Sequence, residues 1–253
     1  MDKKTQYIAV FDSGVGGISV LKELMALMPG ENYLYFGDSA NAPYGDRPTS
    51  QVRQLTMDAA KMLLERGVKA LVIACNTATA AAIKDLRAAY PDTIIVGIEP
   101  ALKLAYDQYG AGRVGVMATQ VTLREEKFAA QLERFPDMQV SLIPAPGLVE
   151  LIESGKADAP ETEQLLRQLL GPYVGKLDAL VLGCTHYPFV KSTVAEILGS
   201  QTAILDGSLG TARHTMHRLQ EAGLLQEGEG SLQIENSAND PELIALAAKL
   251  LEK

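Results

Sequence analysis

ALVIACNTATAAA (residues 70–82) and ALVLGCTHYPFVK (residues 179–191) repeat one pattern, in which an apolar run ends at a cysteine and a threonine-containing turn follows. Cys75 and Cys184 are the only cysteines in the 253 residues of the chain. An uninterrupted apolar run is typical of a buried strand in a parallel sheet, and small polar residues are typical of the turn after it. The repeat therefore predicts two equivalent strand ends that each carry one thiol. Turn N–H groups and a helix N-terminus at these ends are expected to lower the pKa of the thiol.

Short apolar and β-branched runs alternate with amphipathic segments along the whole chain, which predicts an α/β fold with mainly parallel central sheets. The predicted strands are at residues 7–11, 33–36, 70–74, 93–97, 113–117, 139–143, 179–183 and 202–205. Segments 51–66 and 163–174 have the apolar spacing of covering helices. Thr122 and Glu125 form a capping-box pattern that predicts a helix over residues 123–135.

The order of these patterns also predicts an internal duplication. Ser13 follows the first predicted strand, Thr119 follows the fifth, and the two cysteine segments come at matching places after them. We therefore expect two pseudo-symmetric α/β domains, residues 1–98 plus 207–253 and residues 99–206. The tail from residue 207 is predicted to be helical at residues 211–225 and again at 241–253, and to return to the first domain. Ligands of open α/β sheets bind beyond the carboxyl ends of the strands, so the active site is expected in the cleft between the domains.

Composition and charge exclude several classes of protein. The chain is 47% hydrophobic and 21% charged, with a formal net charge of −8 and a pI near 5.0. This composition is ordinary for a globular protein and argues against a nucleic-acid partner, which would require a basic surface. Two cysteines do not form a disulfide framework and the first residues lack a secretory pattern, so a cytoplasmic protein is expected. No apolar run has the length of a membrane helix, and no membrane association is expected.

A matched pair of isolated thiols suits some kinds of chemistry better than others. Redox couples usually occur as Cys-x-x-Cys and zinc sites need three or four clustered ligands, and neither pattern is present. We therefore predict no metal and no cofactor, while a thiol-redox protein stays an alternative. Two thiols on opposite sides of one carbon suit acid–base catalysis, because one can remove a proton while the other returns a proton to the opposite face.

Two loops near the strand ends supply further candidate residues. FDSGVGG (11–17) has glycines that permit a tight turn with exposed N–H groups, which suits a carboxylate or a phosphate. Asp12 in this loop is interpreted as a base partner, an orienting group or a helix cap. FGDSANAPYGDRP (36–48) is a polar loop in which Tyr44 and Gly45 offer a hydroxyl and a backbone N–H to a ligand.

Charged residues near the second cysteine are candidates to assist it. His186 lies two residues beyond Cys184, where its imidazole can tune the thiol or carry its proton. Glu150 follows the predicted strand at 139–143 and is the candidate acidic partner, with Glu153 as its competitor. A solvated helix face remains the alternative interpretation of both glutamates.

Four motifs together resemble a known family. FDSGVGG, GDSANAPYG, ACNTATA and GCTHYP occur in the order and approximate spacing of the glutamate racemases, within the cofactor-independent aspartate/glutamate racemase superfamily. The resemblance extends from about residue 7 to residue 220 and implies cofactor-independent interconversion of L- and D-glutamate. It further implies supply of D-glutamate for peptidoglycan and a homodimeric assembly. An aspartate racemase and a non-catalytic relative that binds an acidic ligand are the alternatives.

The resemblance implies a role for each candidate residue. Cys75 would be the base toward the D-isomer and Cys184 the base toward the L-isomer, and each would be the acid in the opposite direction. Asp12 would assist Cys75, whereas His186 and Glu150 would assist Cys184. The residues implied to bind substrate are Asp12, Ser13, Tyr44, Gly45, Asn76, Thr77, Thr185 and His186.

Overall fold

The computed structural model describes residues 3–124 and 126–253. The strands are β1 (Ile8–Asp12), β2 (Tyr33–Gly37), β3 (Ala70–Ile73), β4 (Ile94–Gly97), β5 (Arg113–Ala118), β6 (Gln139–Pro144), β7 (Ala179–Leu182), β8 (Ala203–Asp206) and β9 (Leu232–Asn236). The helices are α1 (Ile18–Leu27), α2 (Thr49–Glu65), α3 (Asn76–Ala89), α4 (Leu102–Tyr109), α5 (Gln120–Arg124), α6 (Glu126–Leu132), α7 (Leu148–Glu153), α8 (Pro160–Leu170), α9 (Lys191–Leu198), α10 (Ser208–Glu221) and α11 (Pro241–Glu252). Among the described helices, none has the length and apolar character needed to cross a membrane.

The strands form two parallel sheets. The first sheet has the order β4-β3-β1-β2-β9, and the second has the order β6-β5-β7-β8. Every neighbouring pair of strands in both sheets runs parallel. If β1 to β4 are matched in sequence order to β5 to β8, the first sheet without β9 has the same order as the second sheet taken from its other edge, β8-β7-β5-β6. The predicted α/β fold class, with two related and mainly parallel sheets, is confirmed.

Strands β1 to β4 of the first sheet are buried on both faces because they are almost wholly apolar. Ile8 and Val10 of β1 pack into the cluster that includes residues of α1, α10 and α11. Ala9 and Phe11, which point to the opposite face, pack into the cluster that includes residues of α2 and α3. Such two-sided burial is the reason that parallel strands read as continuous apolar runs. It also fixes the carboxyl ends of the strands, where the turns that carry polar residues begin.

The tail of the chain differs from its prediction. Residues 207–253 contain α10 and α11 as expected, but they also contain β9, which pairs with β2 at the edge of the first sheet. The predicted helices at residues 211–225 and 241–253 are therefore confirmed, whereas the strand between them was not predicted. Leu232 and Ile234 alternate with polar residues, and this two-residue period was the available signal for a half-buried edge strand.

The helix after β5 begins earlier than the capping-box pattern predicts. α5 begins at Gln120, and the hydroxyl of Thr119 accepts a hydrogen bond from the N–H of Thr122 at 3.3 Å. Thr119 is therefore the capping residue, three positions before the donor, as in other helix N-termini. The predicted cap at Thr122 is wrong, and its predicted partner Glu125 lies outside the described residues.

The chain passes from the first sheet to the second after β4 and returns after β8. At the return, Gly207 lies against the first connection, since a Cβ atom there would be 2.4 Å from the carbonyl oxygen of Glu99. Only glycine allows this close approach of two backbones. The division into residues 1–98 plus 207–253 and residues 99–206 stays a prediction.

Candidate active site

A cavity lies between the carboxyl ends of the two sheets. The turns that follow β1, β3, β5, β6 and β7 all contribute to its wall. The predicted site residues that line it are Ser13, Tyr44, Gly45, Cys75, Asn76, Thr77, Glu150, Cys184, Thr185 and His186. Asp12, the remaining predicted residue, is fully buried. The topology therefore brings residues from distant parts of the sequence to one place.

Each cysteine lies two residues beyond a central strand and at the start of a helical turn. Cys75 follows β3 and caps α3, where its Sγ accepts a hydrogen bond from the N–H of Ala78 at 3.4 Å. Cys184 follows β7 and precedes a short 3₁₀ turn at Tyr187–Val190. Both thiols are free and buried. Because the two sheets share one strand order, the thiols occupy equivalent positions in the two halves of the molecule.

The surroundings of Cys75 keep it protonated at neutral pH. Burial, with the nearby charge of Asp12, raises the pKa of Cys75 to about 12, although the hydrogen bonds from Ala78 and Ser13 act in the opposite direction. The Ser13 hydroxyl lies 3.5 Å from the sulfur. The expectation that this strand end lowers the thiol pKa is wrong for Cys75, because removal from water outweighs the helix N-terminus.

Cys184 lies beside a charged pair. His186 Nδ1 is 3.6 Å from the Cys184 sulfur, and His186 Nε2 is 2.6 Å from Glu153 Oε1. Burial disfavours the imidazolium, but hydrogen bonds to Cys184 and Glu153 outweigh it and raise the pKa of His186 well above its ordinary value. Burial likewise opposes ionisation of Glu153, whereas its bond to His186 lowers the pKa of this carboxyl. A buried imidazolium–carboxylate pair therefore lies directly beside the Cys184 sulfur.

The acidic partner of His186 is Glu153, the last residue of α7. Glu150 belongs to the first turn of this helix, is exposed and lines the cavity. Glu153, and not Glu150, contacts the His186 imidazole. The same oxygen of Glu153, Oε1, also accepts a hydrogen bond from the N–H of Val15 at 2.8 Å. Spacing alone did not separate the two glutamates, since residues three apart share one helix face. A role for Glu150 in assisting Cys184 stays a prediction.

Asp12 connects the two halves of the site. Its Oδ1 accepts a hydrogen bond from the N–H of Gly14 at 2.9 Å, and its Oδ2 accepts one from the hydroxyl of Thr185 at 3.0 Å. Burial raises the pKa of the Asp12 carboxyl, although His186 and these hydrogen bonds act against the shift. The helix-cap interpretation of Asp12 is wrong, since α1 begins at Ile18 with Gly17 as its N-cap. The geometry fits an orienting group.

Polar groups at the cavity wall differ in whether they already have a hydrogen-bond partner within the protein. Asn76 is buried, and among the described residues its Oδ1 has no hydrogen-bond partner, so this acceptor is available. The hydroxyl of Tyr44 donates to Asp38 Oδ2 at 2.6 Å and is therefore occupied within its own loop. The hydroxyl predicted for a ligand is thus committed elsewhere, which leaves the backbone of Tyr44 and Gly45 at the cavity wall.

Thr119 is a wall residue that the sequence identified only as the counterpart of Ser13. It lines the cavity, and its Oγ1 lies 3.3 Å from Thr77 Oγ1 across the gap between the two sheets. The equivalence of the two strand ends was the signal that pointed to it. Thr119 therefore adds a second hydroxyl, in addition to that of Thr185, from the half of the molecule that carries the second sheet.

Comparisons with known proteins show the family to which the chain belongs. The profile of the Asp/Glu/hydantoin racemase family matches residues 19–215. The chain belongs to the Asp/Glu/hydantoin racemase family. The family resemblance inferred from the four motifs is confirmed.

Relatives within the Asp/Glu/hydantoin racemase family match the chain over nearly its full length. A glutamate racemase from Clostridium perfringens is 46% identical over 255 residues, covering 99% of this chain and 98% of the relative. The crystal structure of a glutamate racemase isoform from Bacillus anthracis has a TM-score of 0.90 at 30% identity, covering 99% of this chain and 95% of that one. The structure of glutamate racemase from Francisella tularensis in complex with D-glutamate has a TM-score of 0.87 at 28% identity, with coverage of 99% and 95%.

The two thiols of this Asp/Glu/hydantoin racemase family member should react at different rates. Only the thiolate is nucleophilic, so we expect iodoacetamide to modify Cys184 before Cys75 near neutral pH. Because the pKa of Cys75 is about 12, its modification rate should rise about tenfold with each unit of pH below that value. Timed alkylation followed by peptide mass spectrometry measures both rates in one sample. The urea-unfolded chain is the control, and faster modification of Cys75 at neutral pH would contradict the assignment.

Proposed function

We propose that this protein is a glutamate racemase in which Cys75 and Cys184 are the two acid–base groups. The activity rests on full-length identity of 46% to a curated glutamate racemase. The residue assignment rests on one observation, namely that two free thiols at equivalent strand ends line the same cavity. Two thiols placed in this way can reach opposite faces of one substrate carbon.

Proton transfer in the direction from L- to D-glutamate begins at Cys184. Its thiolate takes the α-proton, and the electron pair of the broken C–H bond stays on the α-carbon and spreads into the adjacent carboxylate. The Cys75 thiol then gives its proton to the opposite face, which forms the new C–H bond of D-glutamate. Cys184 ends as a thiol and Cys75 as a thiolate, and the reverse reaction uses the same steps in the opposite order.

The surroundings of the two thiols differ. A buried imidazolium at His186 lies beside the Cys184 sulfur, while burial holds Cys75 as the thiol. The difference suits Cys75 to be the acid in this direction. Asp12, whose own pKa is raised by burial, is proposed to assist Cys75 when that thiol gives up or regains its proton.

Substrate binding is proposed to involve the polar wall of the cavity. The free acceptor of Asn76 suits the ammonium group of an amino acid, and backbone N–H groups near Gly45 suit a carboxylate. Fixed donors in a site with little water stabilise negative charge that develops on the α-carboxylate. The proposed contacts are Asp12, Ser13, Tyr44, Gly45, Asn76, Thr77, Thr185 and His186, with Asp12 acting through Thr185.

The test is incubation of the purified protein with L-glutamate in D2O without added cofactor. We expect D-glutamate with α-deuterium, because the proton delivered by Cys75 comes from solvent. Optical rotation follows the conversion to D-glutamate, and mass spectrometry follows the entry of α-deuterium. L-aspartate is the parallel sample. A higher kcat/KM for aspartate would make the protein an aspartate racemase, and no exchange with either acid would leave a non-catalytic binding protein.

We further propose the cellular setting that the family implies. The protein would act in the cytoplasm as a homodimer and supply D-glutamate for peptidoglycan. Residues 1–98 plus 207–253 and residues 99–206 would be its two α/β domains, on either side of the cavity. Sedimentation velocity tests the dimer, and a single species with the 27.1 kDa mass of one chain would contradict it.

A further inference from the structure

The peptide unit between Gly14 and Val15 lies where the two halves of the site meet. Its N–H, which belongs to Val15, donates to Glu153 Oε1 at 2.8 Å. Its carbonyl oxygen, which belongs to Gly14, accepts a hydrogen bond from the hydroxyl of Tyr35 at 2.7 Å. A peptide unit is planar and rigid, so these two bonds fix the same group from both sides. The orientation of the donor to Glu153 thus depends on Tyr35.

The hydrogen bonds continue from this peptide to the second thiol. Glu153 contacts His186 at 2.6 Å, and His186 contacts the Cys184 sulfur at 3.6 Å. An unbroken chain therefore runs from the phenol of Tyr35, on β2 of the first sheet, to Cys184, beyond β7 of the second. Hydrogen bonds joined in this way polarise and strengthen one another in a buried environment.

The glycine-rich loop packs closely enough to make this chain rigid. A Cβ atom on Gly14 would lie only 1.9 Å from Glu153 Oε1, and a Cβ on Gly16 would lie 2.4 Å from His186 Nδ1. The loop backbone therefore forms the wall against which the charged pair rests. The titratable groups that face His186 are Glu153, Asp12 and Cys184. The close packing of the loop holds the His186–Glu153 pair in place among them.

Tyr35 is suited to hold the loop. Its side chain is buried, and burial, together with the charges of Asp12 and Glu153, raises its pKa well above the ordinary value. The phenol therefore keeps its proton at neutral pH and donates a hydrogen bond to the Gly14 carbonyl. Tyr35 does not belong to the cavity wall described above.

We propose that Tyr35 is a positioning residue for Cys184, acting through the Gly14–Val15 peptide, Glu153 and His186. The inference rests on the proposed function, because it concerns the base that attacks L-glutamate. It goes beyond that function because it assigns the positioning of the groups around Cys184 to a residue on the other sheet. Tyr35 lies on β2, beside the strand that leads to Asp12, and not on the sheet that carries Cys184.

The test compares Tyr35→Phe with Tyr33→Phe. Tyr33 is the matched control because it lies two residues earlier on β2 and is equally buried, and its hydroxyl lies 2.9 Å from the carbonyl oxygens of Leu24 and Met28. Both variants lose one buried hydroxyl and keep the ring. We expect kcat for glutamate to fall about tenfold in Tyr35→Phe and less than about twofold in Tyr33→Phe.

Isotope effects separate positioning from a general structural loss. The enantiomers have equal free energy, so kcat/KM stays equal in the two directions and cannot show which thiol is affected. If proton transfer at Cys184 is slowed, the primary isotope effect with α-deuterated L-glutamate should rise and that with α-deuterated D-glutamate should fall. Equal isotope effects in Tyr35→Phe and the wild type would overturn the proposal, as would equal kcat losses in the two phenylalanine variants.

A measurement that needs no turnover keeps this inference separate from the proposed function. Iodoacetamide should modify Cys184 more slowly in Tyr35→Phe than in the wild type, with the rate at Cys75 unchanged. This result supports the inference even if the wild type fails to racemise glutamate, which would remove the proposed function alone. An unchanged rate at Cys184 overturns the inference even if the wild type is an active racemase. In an active enzyme, adding Tyr35→Phe to Glu153→Gln should cause no further loss, because both changes interrupt one chain.

Discussion

Replacing either Cys75 or Cys184 by serine is expected to lower kcat for glutamate racemisation by about 10³-fold or more in both directions. In the proposed mechanism each direction needs one thiol as the base and the other as the acid, so neither variant retains a complete pair. A serine hydroxyl is far less acidic than a thiol and supplies almost no anion at neutral pH. Circular dichroism of the glutamate solution measures the loss from either enantiomer.

The cysteine variants need a control for the disturbance of a buried, closely packed turn. Thr79→Ser is suitable because Thr79 is buried on α3, one turn beyond Cys75, and its hydroxyl bond to the carbonyl of Ile73 is kept. We expect Thr79→Ser to retain kcat within about threefold. Thermal unfolding should give similar melting temperatures for all three variants. Activity close to wild type in either cysteine variant would remove the two-thiol mechanism.

Glu153→Gln is expected to lower kcat by about 10²-fold, the second largest effect. The amide still reaches His186 but carries no charge, so the imidazolium loses the carboxylate that stabilises it. In the proposed mechanism, a smaller fraction of imidazolium at His186 gives Cys184 less help in removing the α-proton of L-glutamate. Loss of a hydrogen bond to a charged group costs about 1.5–3 kcal/mol, which corresponds to this range of rates.

Glu150→Gln is the matched control for this change. Glu150 lies on the same helix, is exposed and lines the cavity, and its replacement should alter kcat by less than about threefold. Measuring both variants with L- and D-glutamate decides which carboxylate assists Cys184. A larger loss in Glu150→Gln than in Glu153→Gln would return that role to Glu150, as the sequence first suggested.

The fold was largely predictable because its central strands are buried on both faces. Complete burial leaves a continuous apolar run in the sequence, and the runs at β3 and β7 marked both the duplication and the ends where the thiols lie. β9 escaped prediction because it is an edge strand in which Leu232 and Ile234 alternate with Gln233 and Glu235. The prediction of the capping residue after β5 was also wrong. Thr119 and Thr122 are both threonines near the start of the helix, and residue type alone does not separate them.

The candidate site was predictable in its members but not in its interactions. Strand ends converge in any parallel sheet, so the cysteines and their neighbours could be expected at one cavity. The pKa direction of Cys75 was misjudged because burial is invisible in a local motif. The partner of His186 depends on the N–H of Val15, and a backbone donor leaves no trace in the sequence. For the same reason the link to Tyr35 emerged only from the folded chain.

β9 has a consequence for the order in which the molecule is assembled on the ribosome. The second sheet is built from one continuous stretch of chain, whereas the first sheet needs β9 to cover the edge of β2. α10 and α11, which pack against α1, also follow the second sheet in sequence. We expect the half that carries Cys184 to mature first during synthesis. Until residues 232–236 emerge, β2 presents unpaired backbone groups to other nascent chains, and an unpaired edge of this kind favours aggregation.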